Sequence, residues 1–410
     1  MKATLNEIYG ADAALQTTRY ENAVLEFKKL FGDVKYRFFS ASGRTEVGGN
    51  HTDHNFGCVM AAGVSLDVIA VVEPTDEMII TIKSEGYDRD DVDITNLAPV
   101  KNEENTTAAL IRGVAAGFVN RGRKIGGFRA YTTSNVLKGS GLSSSAAFEV
   151  LVGTILNNVY NNGEISDVEI AQVSQYAENV FFGKPSGLMD QMASSVGSFI
   201  TIDFADEKNP VIKKVNFDFA SCGHALCIVD TKGNHADLTP EYASIPTEMK
   251  SVAKYFGKNV LREITKEQLL ENFTAVREEC GDRAVLRALH FFDDNQRVAK
   301  ESAALESGNF DEFLALINES GASSYDYLQN IYAPKNPAEQ GLAIGLYMAK
   351  SVLGKRGACR VHGGGFAGTI QAFVPNDLLE TFKATLNGVF GEGSCHVLSV
   401  RPFGGVEVDL

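Results

Sequence analysis

The stretch NVLKGSGLSSSAAFEV, residues 135–150, constrains this chain more than any other. It overlaps the end of FRAYTTSNV, whose alternating residues read as a strand over 128–136. It leads into Phe148, Leu151, Val152, Ile155 and Val159, apolar at helical spacing, with Asn161-Asn162-Gly163 as the stop. A strand thus feeds a helix through a turn rich in Gly and Ser. Gly139 and Gly141 allow close backbone approach. The free N–H groups and the dipole of the helix face the turn, and Ser143, Ser144 and Ser145 add hydroxyls. Such a turn can hold a polyphosphate. A P-loop would need a Lys-Ser/Thr pair after its last Gly, and none is present. A dinucleotide fingerprint would need a strand after the helix. Here the capping box Ser166-Asp167-Val168-Glu169 opens a second helix instead, running to about residue 182. The plain alternative is a Ser-capped turn with no ligand.

The rest of the chain is mixed α and β. VIAVVEP and MIITIKSEG read as strands, SFITIDF and VIKKVNF as a hairpin around Asn209-Pro210, and ALCIVDT, CRVHGG and TIQAFVP as further strands. Helical patterns over 265–280, 284–305, 310–317 and 338–352 make the second half richer in helix. The 410 residues suit two domains, taken as 1–210 and 211–410. A net charge of −14 argues against a nucleic-acid or anionic-membrane surface, though not against a phosphorylated ligand. Six scattered Cys without a CxxC fit a reducing compartment. The N-terminus has no apolar signal region, and the longest apolar run is too short for a bilayer. A cytoplasmic protein, monomeric or weakly dimeric, is expected.

Just before the apolar run at 58–72 stands a very polar segment, GRTEVGGNHTDHNFG, residues 43–57. Its His51, Asp53 and His54 could suggest a metal, but no helical spacing sets the two His on one face, so another polar role, local hydrogen bonding among them, is preferred. Asp190, in GLMDQM, reads as an acidic residue early in a helix. Glu178 lies near the end of the helix opened at Ser166, where the dipole disfavours a carboxylate; a solvated surface Glu is the plain alternative.

GSGLSSSAA resembles the phosphate loop of the GHMP small-molecule kinases. GRTEVGGNHTDHNFG resembles the signature of the galactokinase branch, GKPSGLMDQMASSVG the segment with the family's catalytic Asp, and VHGGGFAGTIQAFV its third motif. These occur in family order over residues 43–374. The resemblance implies an α+β, two-domain fold: an N-terminal domain like ribosomal protein S5 domain 2, a ferredoxin-like C-terminal domain with added helices, and a site in the cleft between them. It implies an ATP- and Mg²⁺-dependent sugar 1-kinase, galactose being the first candidate. Asp190 would be the base and Arg44 its electrostatic partner; Glu178 and Ser145 would hold Mg²⁺. Lys138, Gly139, Ser140, Gly141, Leu142, Ser143, Ser144, Ser145, Ala146, Gly364 and Gly365 would bind nucleotide. Asn50, His51, Asp53, Gly187 and Tyr242 would bind sugar, Tyr242 standing in TPEY after the VDT strand.

The sequence departs from the signature P-G-R-x-N-x-I-G-E-H-x-D-Y at Ser42, Glu46, Gly48, Asn50 and His54, while Arg44, Gly49, His51 and Asp53 are kept. In the family, the Glu replaced here by Asn50 lies near the sugar's 6-hydroxyl. An amide in place of a carboxylate brings a donor and no charge, so a sugar altered at C6 (galacturonate, L-arabinose or an amino sugar) is an alternative substrate. Leu137 replaces a Pro usual before the phosphate loop. A non-catalytic galactose sensor is a further alternative, opposed by the retained Ser144, Ser145, Ala146, Asp190 and Glu178.

Overall fold

The computed structural model describes residues 2–136, 142–184, 186–206, 209–233 and 238–410. In chain order the strands are β1 (Lys2–Thr4), β2 (Arg37–Gly48), β3 (Cys58–Pro74), β4 (Ile79–Ser84), β5 (Arg89–Asp93), β6 (Phe128–Ser134), β7 (Phe199–Asp203), β8 (Val211–Val215), β9 (His224–Asp230), β10 (Ala358–His362), β11 (Thr369–Pro375), β12 (Cys395–Leu398) and β13 (Val406–Asp409). Among the described residues they form a nine-stranded sheet ordered β1-β13-β2-β3-β6-β4-β5, with β7 and β8 beside the first half of β3, and a four-stranded sheet ordered β10-β11-β9-β12.

β3 explains the long apolar run. Its first half pairs with β7 and its second with β6, while β2 pairs along both. Val68, Ala70 and Val72 face the main core, and Ile69 and Val71 face the helix Ala13–Phe31 on the other side. A strand covered on both faces needs no polar alternation. On the main-core face lie the helices Thr107–Asn120, Ser144–Tyr160 and Asp167–Tyr176.

The second sheet is antiparallel throughout. Cys227, Val229, Val361 and Ile370 pack under the helices Gly341–Leu353 and Leu379–Phe390, while Leu226, Ile228 and Phe373 face the helix Phe310–Ser323. The 25-residue helix Asp282–Glu306 runs between this part and the polar segment before β3. The proposed division of 1–210 from 211–410 therefore leaves β8 and β13 of the second part paired into the first sheet. Among the described residues no helix is long and apolar enough to cross a membrane.

Candidate active site

Four segments far apart in sequence meet where β2 passes the start of the helix Ser144–Tyr160. Arg44 lies between two irregularities in the pairing of β2 with β3, at Ser42/Arg44 and Glu46/Gly48. Such bulges twist a strand and re-aim its side chains. The strand runs close beneath the loop before the helix: a Cβ on Gly43 would lie 3.2 Å from the Leu142 carbonyl oxygen, and the Arg44 N–H donates to that oxygen at 3.2 Å.

Asp190 stands in the first turn of the helix Met189–Val196, where the dipole favours a carboxylate. Arg44 Nε donates to its Oδ1 at 2.7 Å, and the Ser143 hydroxyl donates to its Oδ2. Ser143 reaches it from a left-handed conformation, φ 53°. Burial opposes ionisation of Asp190, but the Arg44 charge and the hydrogen bonds from Arg44 and Ser143 outweigh it and hold the carboxyl below its ordinary range. Behind Arg44, buried His362 bonds Thr45 through Nε2 at 3.0 Å and Thr369 through Nδ1 at 2.9 Å. Burial and the positive Arg44 push it down to about 3, so it stays neutral and adds no charge to the pair.

Beside this pair is a second carboxylate. Glu178 lies in a π-helical turn, Ala177–Phe182, that continues the helix Asp167–Tyr176; such turns concentrate at functional sites. Only 2 % of its side chain is exposed, so the solvated-surface alternative does not hold. Its Oε1 accepts from the Ser145 hydroxyl at 3.1 Å and from Lys184 Nζ at 2.9 Å; its Oε2 accepts from Gln191 Nε2 at 2.8 Å. The same Gln191 nitrogen bonds buried Glu149 at 3.1 Å, and burial together with nearby Glu178 raises the Glu149 carboxyl well above its ordinary range. Gln191, Glu149 and Lys184 were not singled out from the sequence. Gln191 directly follows Asp190, and helical spacing puts Glu149 on the face of Ser145, a signal that could have found it.

The polar segment forms the adjoining wall. Asp53 opens a short turn, Asp53–Asn55, and remains partly accessible; a Cβ on Gly187 would lie 3.2 Å from its Oδ2. His51, at φ 59°, bonds the Gly364 carbonyl through Nε2 at 3.0 Å. Burial and neighbouring His54 lower its pKa, so it is neutral and donates there. His54 is 44 % exposed. Asn50 is fully buried, and its amide is spent inside the protein. Its Nδ2 donates to Glu46 Oε1 at 2.8 Å and to the Gly363 carbonyl at 2.9 Å, and its Oδ1 accepts from Asn330 Nδ2 at 2.9 Å. Tyr242 packs edge-on against Phe366, with ring centroids 5.5 Å apart, and its hydroxyl donates to the Gly365 carbonyl at 3.0 Å. Gly365 has φ 82°, and a Cβ there would meet the Asn330 carbonyl oxygen at 2.1 Å, so only glycine fits. The contacts of Gly364 and Gly365 thus run to the polar segment and Tyr242, on the side expected to hold sugar rather than nucleotide.

Ser144 and Ser145 also line a cavity of 590 Å³, together with Glu85, Tyr87, Leu110, Phe148 and Phe182. Its aromatic and apolar walls suit a flat base, and the sequence did not single them out. Leu142 and Ala146 are buried and shape the loop and helix rather than face the cavity. Lys138, Gly139, Ser140 and Gly141 lie outside the described residues.

Residues 109–198, which include Ser143–145, Glu178 and Asp190, match the GHMP kinases N terminal domain. The chain therefore carries the N-terminal domain of a phosphotransferase class. Residues 25–74, which include Arg44 and Asp53, match the galactokinase galactose-binding signature, and this points within the class to a sugar hydroxyl as acceptor. The fold agrees. The Lactococcus lactis galactokinase complexed with galactose superposes with a TM-score of 0.78 at 24 % identity, over 96 % of this chain and 100 % of that one. The Methanococcus jannaschii mevalonate kinase gives 0.63 at 14 % identity over 90 % and 99 %. The Streptococcus pneumoniae phosphomevalonate kinase gives 0.61 at 12 % over 90 % and 100 %. The architecture is the GHMP kinase fold.

Proposed function

We propose that this protein is an ATP-dependent sugar 1-kinase that converts galactose and ATP to galactose 1-phosphate and ADP. The observation that carries the reading is the Arg44–Asp190 pair, with the loop residue Ser143 donating to the same carboxylate. Asp190 is ionised, so it can accept the proton of the anomeric hydroxyl. As that O–H bond breaks, the oxygen bonds the γ-phosphorus, and the bond from that phosphorus to the β–γ bridging oxygen breaks to release ADP. Arg44 keeps Asp190 ionised and places positive charge beside the acceptor oxygen. Asp53 and Gly187 adjoin each other and would hold the ring hydroxyls, with His51 and Tyr242 bracing that wall. The base would occupy the cavity beside Phe148 and Tyr87, with its phosphates over the start of the helix Ser144–Tyr160.

The donor set beside the phosphate loop fits magnesium. Glu178 and Ser145 offer hard oxygen ligands, as few as this ion commonly takes from protein, and the ammonium of Lys184 already stands at the carboxylate in a cation's place. When bound there, magnesium would neutralise phosphate charge.

The galactokinase signature and the intact site favour galactose over the C6-altered sugars and over a sensor that turns nothing over. An assay of ATP consumption across galactose, galacturonate, L-arabinose and galactosamine, with product identification, tests this. Galactose is expected to give the highest kcat/KM. No ATP consumption with any sugar would overturn the reading.

A further inference from the structure

Lys184 is tied to Glu178 twice. Its backbone N–H donates to the Glu178 carbonyl at 3.2 Å, next to the same bond from Gly183 at 3.1 Å, and its side chain folds back to Glu178 Oε1 at 2.9 Å. The two partners differ in environment: the lysine side chain is 58 % exposed and the carboxylate 2 %. A flexible stem therefore brings a mobile charge to a fixed, buried acceptor. That acceptor oxygen also takes the Ser145 hydroxyl, so the ammonium neighbours the first turn of the helix that follows the phosphate loop. Its charge is also felt at Asp190, where it helps keep the carboxyl ionised. Lys184 thus lies among the candidate metal ligands, the candidate base and the start of the phosphate-facing helix.

An ammonium and a divalent cation cannot share one carboxylate oxygen without strong repulsion. The kinase reading needs a cation at Glu178 during transfer, and the phosphoryl group in transfer spreads negative charge over oxygens that positive side chains stabilise. Resting on that reading, we propose that Lys184 is a further catalytic residue: it neutralises Glu178 in the resting protein, yields the carboxylate to a divalent cation when nucleotide binds, and turns its ammonium onto the phosphoryl group in transfer.

The test compares wild type with Lys184→Met and Lys184→Arg in two measurements: Mn²⁺ affinity in the presence of ADP, by electron paramagnetic resonance, and kcat with saturating galactose and Mg-ATP. Lys184→Met is expected to bind Mn²⁺ about threefold or more tightly, because its competitor is gone, while kcat falls by about 10²-fold. Lys184→Arg keeps the charge and is expected to hold kcat within about tenfold of wild type. Lysine acting only as a brace for Glu178 would make Mn²⁺ affinity and kcat fall together in Lys184→Met, and that result overturns the proposal. An unchanged kcat overturns it as well. If wild type transferred phosphate to no sugar, the kinase reading would fall, and the Mn²⁺ measurement would still decide the exchange at Glu178.

Discussion

Arg44 and Glu46 sit close together on β2, and both are buried charges, yet they belong to different kinds of region. Arg44 pairs with Asp190, whose side chain is still 27 % exposed. Glu46 pairs with Arg360 at 2.8 Å, with the arginine side chain wholly buried, and is further held by Asn50. Around Glu46 lie Asp294, bonded to Arg297 at 2.9 Å, and Glu301, whose two oxygens have no hydrogen-bond partner among the described residues. The first region leaves an ionised carboxylate that is still partly exposed. The second consumes its charges on itself and joins β2, β10 and the helix Asp282–Glu306. Buried charge alone therefore does not mark a catalytic site; a carboxylate held ionised and still partly exposed is the stronger candidate.

The largest expected contrast comes from Asp190→Asn. It should lower turnover by about 10³-fold while leaving the thermal unfolding midpoint unchanged within a few degrees, as measured by an ATP-consumption assay and calorimetry. A large loss of stability instead would make this pair architectural too. Arg360→Met should do the reverse. It strands Glu46 in the interior and costs roughly 3–5 kcal/mol in urea unfolding, and pairing it with Glu46→Met should restore much of that.

Glu301 sharpens the comparison through pH. Burial and the like charge of Asp294 push its carboxyl up to about 8, against the pull of Arg360 and Arg297; Glu46 also raises it. Between about 4.5 and 8 the folded protein holds a proton that the unfolded chain has released, so stability contributed by this group falls as pH rises through that window. Glu301→Gln should remove a slope of up to about 1.4 kcal/mol per pH unit in that range. An unchanged slope in urea unfolding at pH 5, 7 and 9 would show that Glu301 is not the proton holder.

The smallest effect concerns Asn50. Asn50→Ala should cost roughly 1–3 kcal/mol of stability through lost buried hydrogen bonds, with the ratio of kcat/KM for galactose over its 6-deoxy analogue staying within about twofold of wild type. A large change in that ratio with stability intact would return Asn50 to the sugar site.

The sequence made the candidate site legible because its residue types are local. The Gly-Ser turn, the carboxylate opening a helix and the polar segment each carry their residue types in a short stretch. The strands β6, β9 and β11 and the helices at 144–160 and 282–306 were legible for the same reason, through periodicity. The buried charge cluster around Glu46 was not. Glu46, Arg360 and Glu301 lie on separate elements, and only the fold brings them together. Asn50 shows the limit most clearly. A motif position suggested a sugar contact, whereas three of the four partners of its amide, Ser324, Asn330 and Gly363, come from distant parts of the chain that no local pattern reports; the fourth is Glu46. The base-sized cavity was equally hidden, since Tyr87, Leu110 and Phe148 look like ordinary strand-end and helix residues until they face one another.

The most direct test of the central claim is ³¹P NMR of the product formed from galactose and Mg-ATP by wild type and by Asp190→Asn under the same conditions. Wild type should yield a phosphate ester at the anomeric carbon together with ADP, and Asp190→Asn about 10³-fold less of it in the same time. A product phosphorylated at another carbon, or equal product from both proteins, would contradict the role assigned to the Arg44–Asp190 pair.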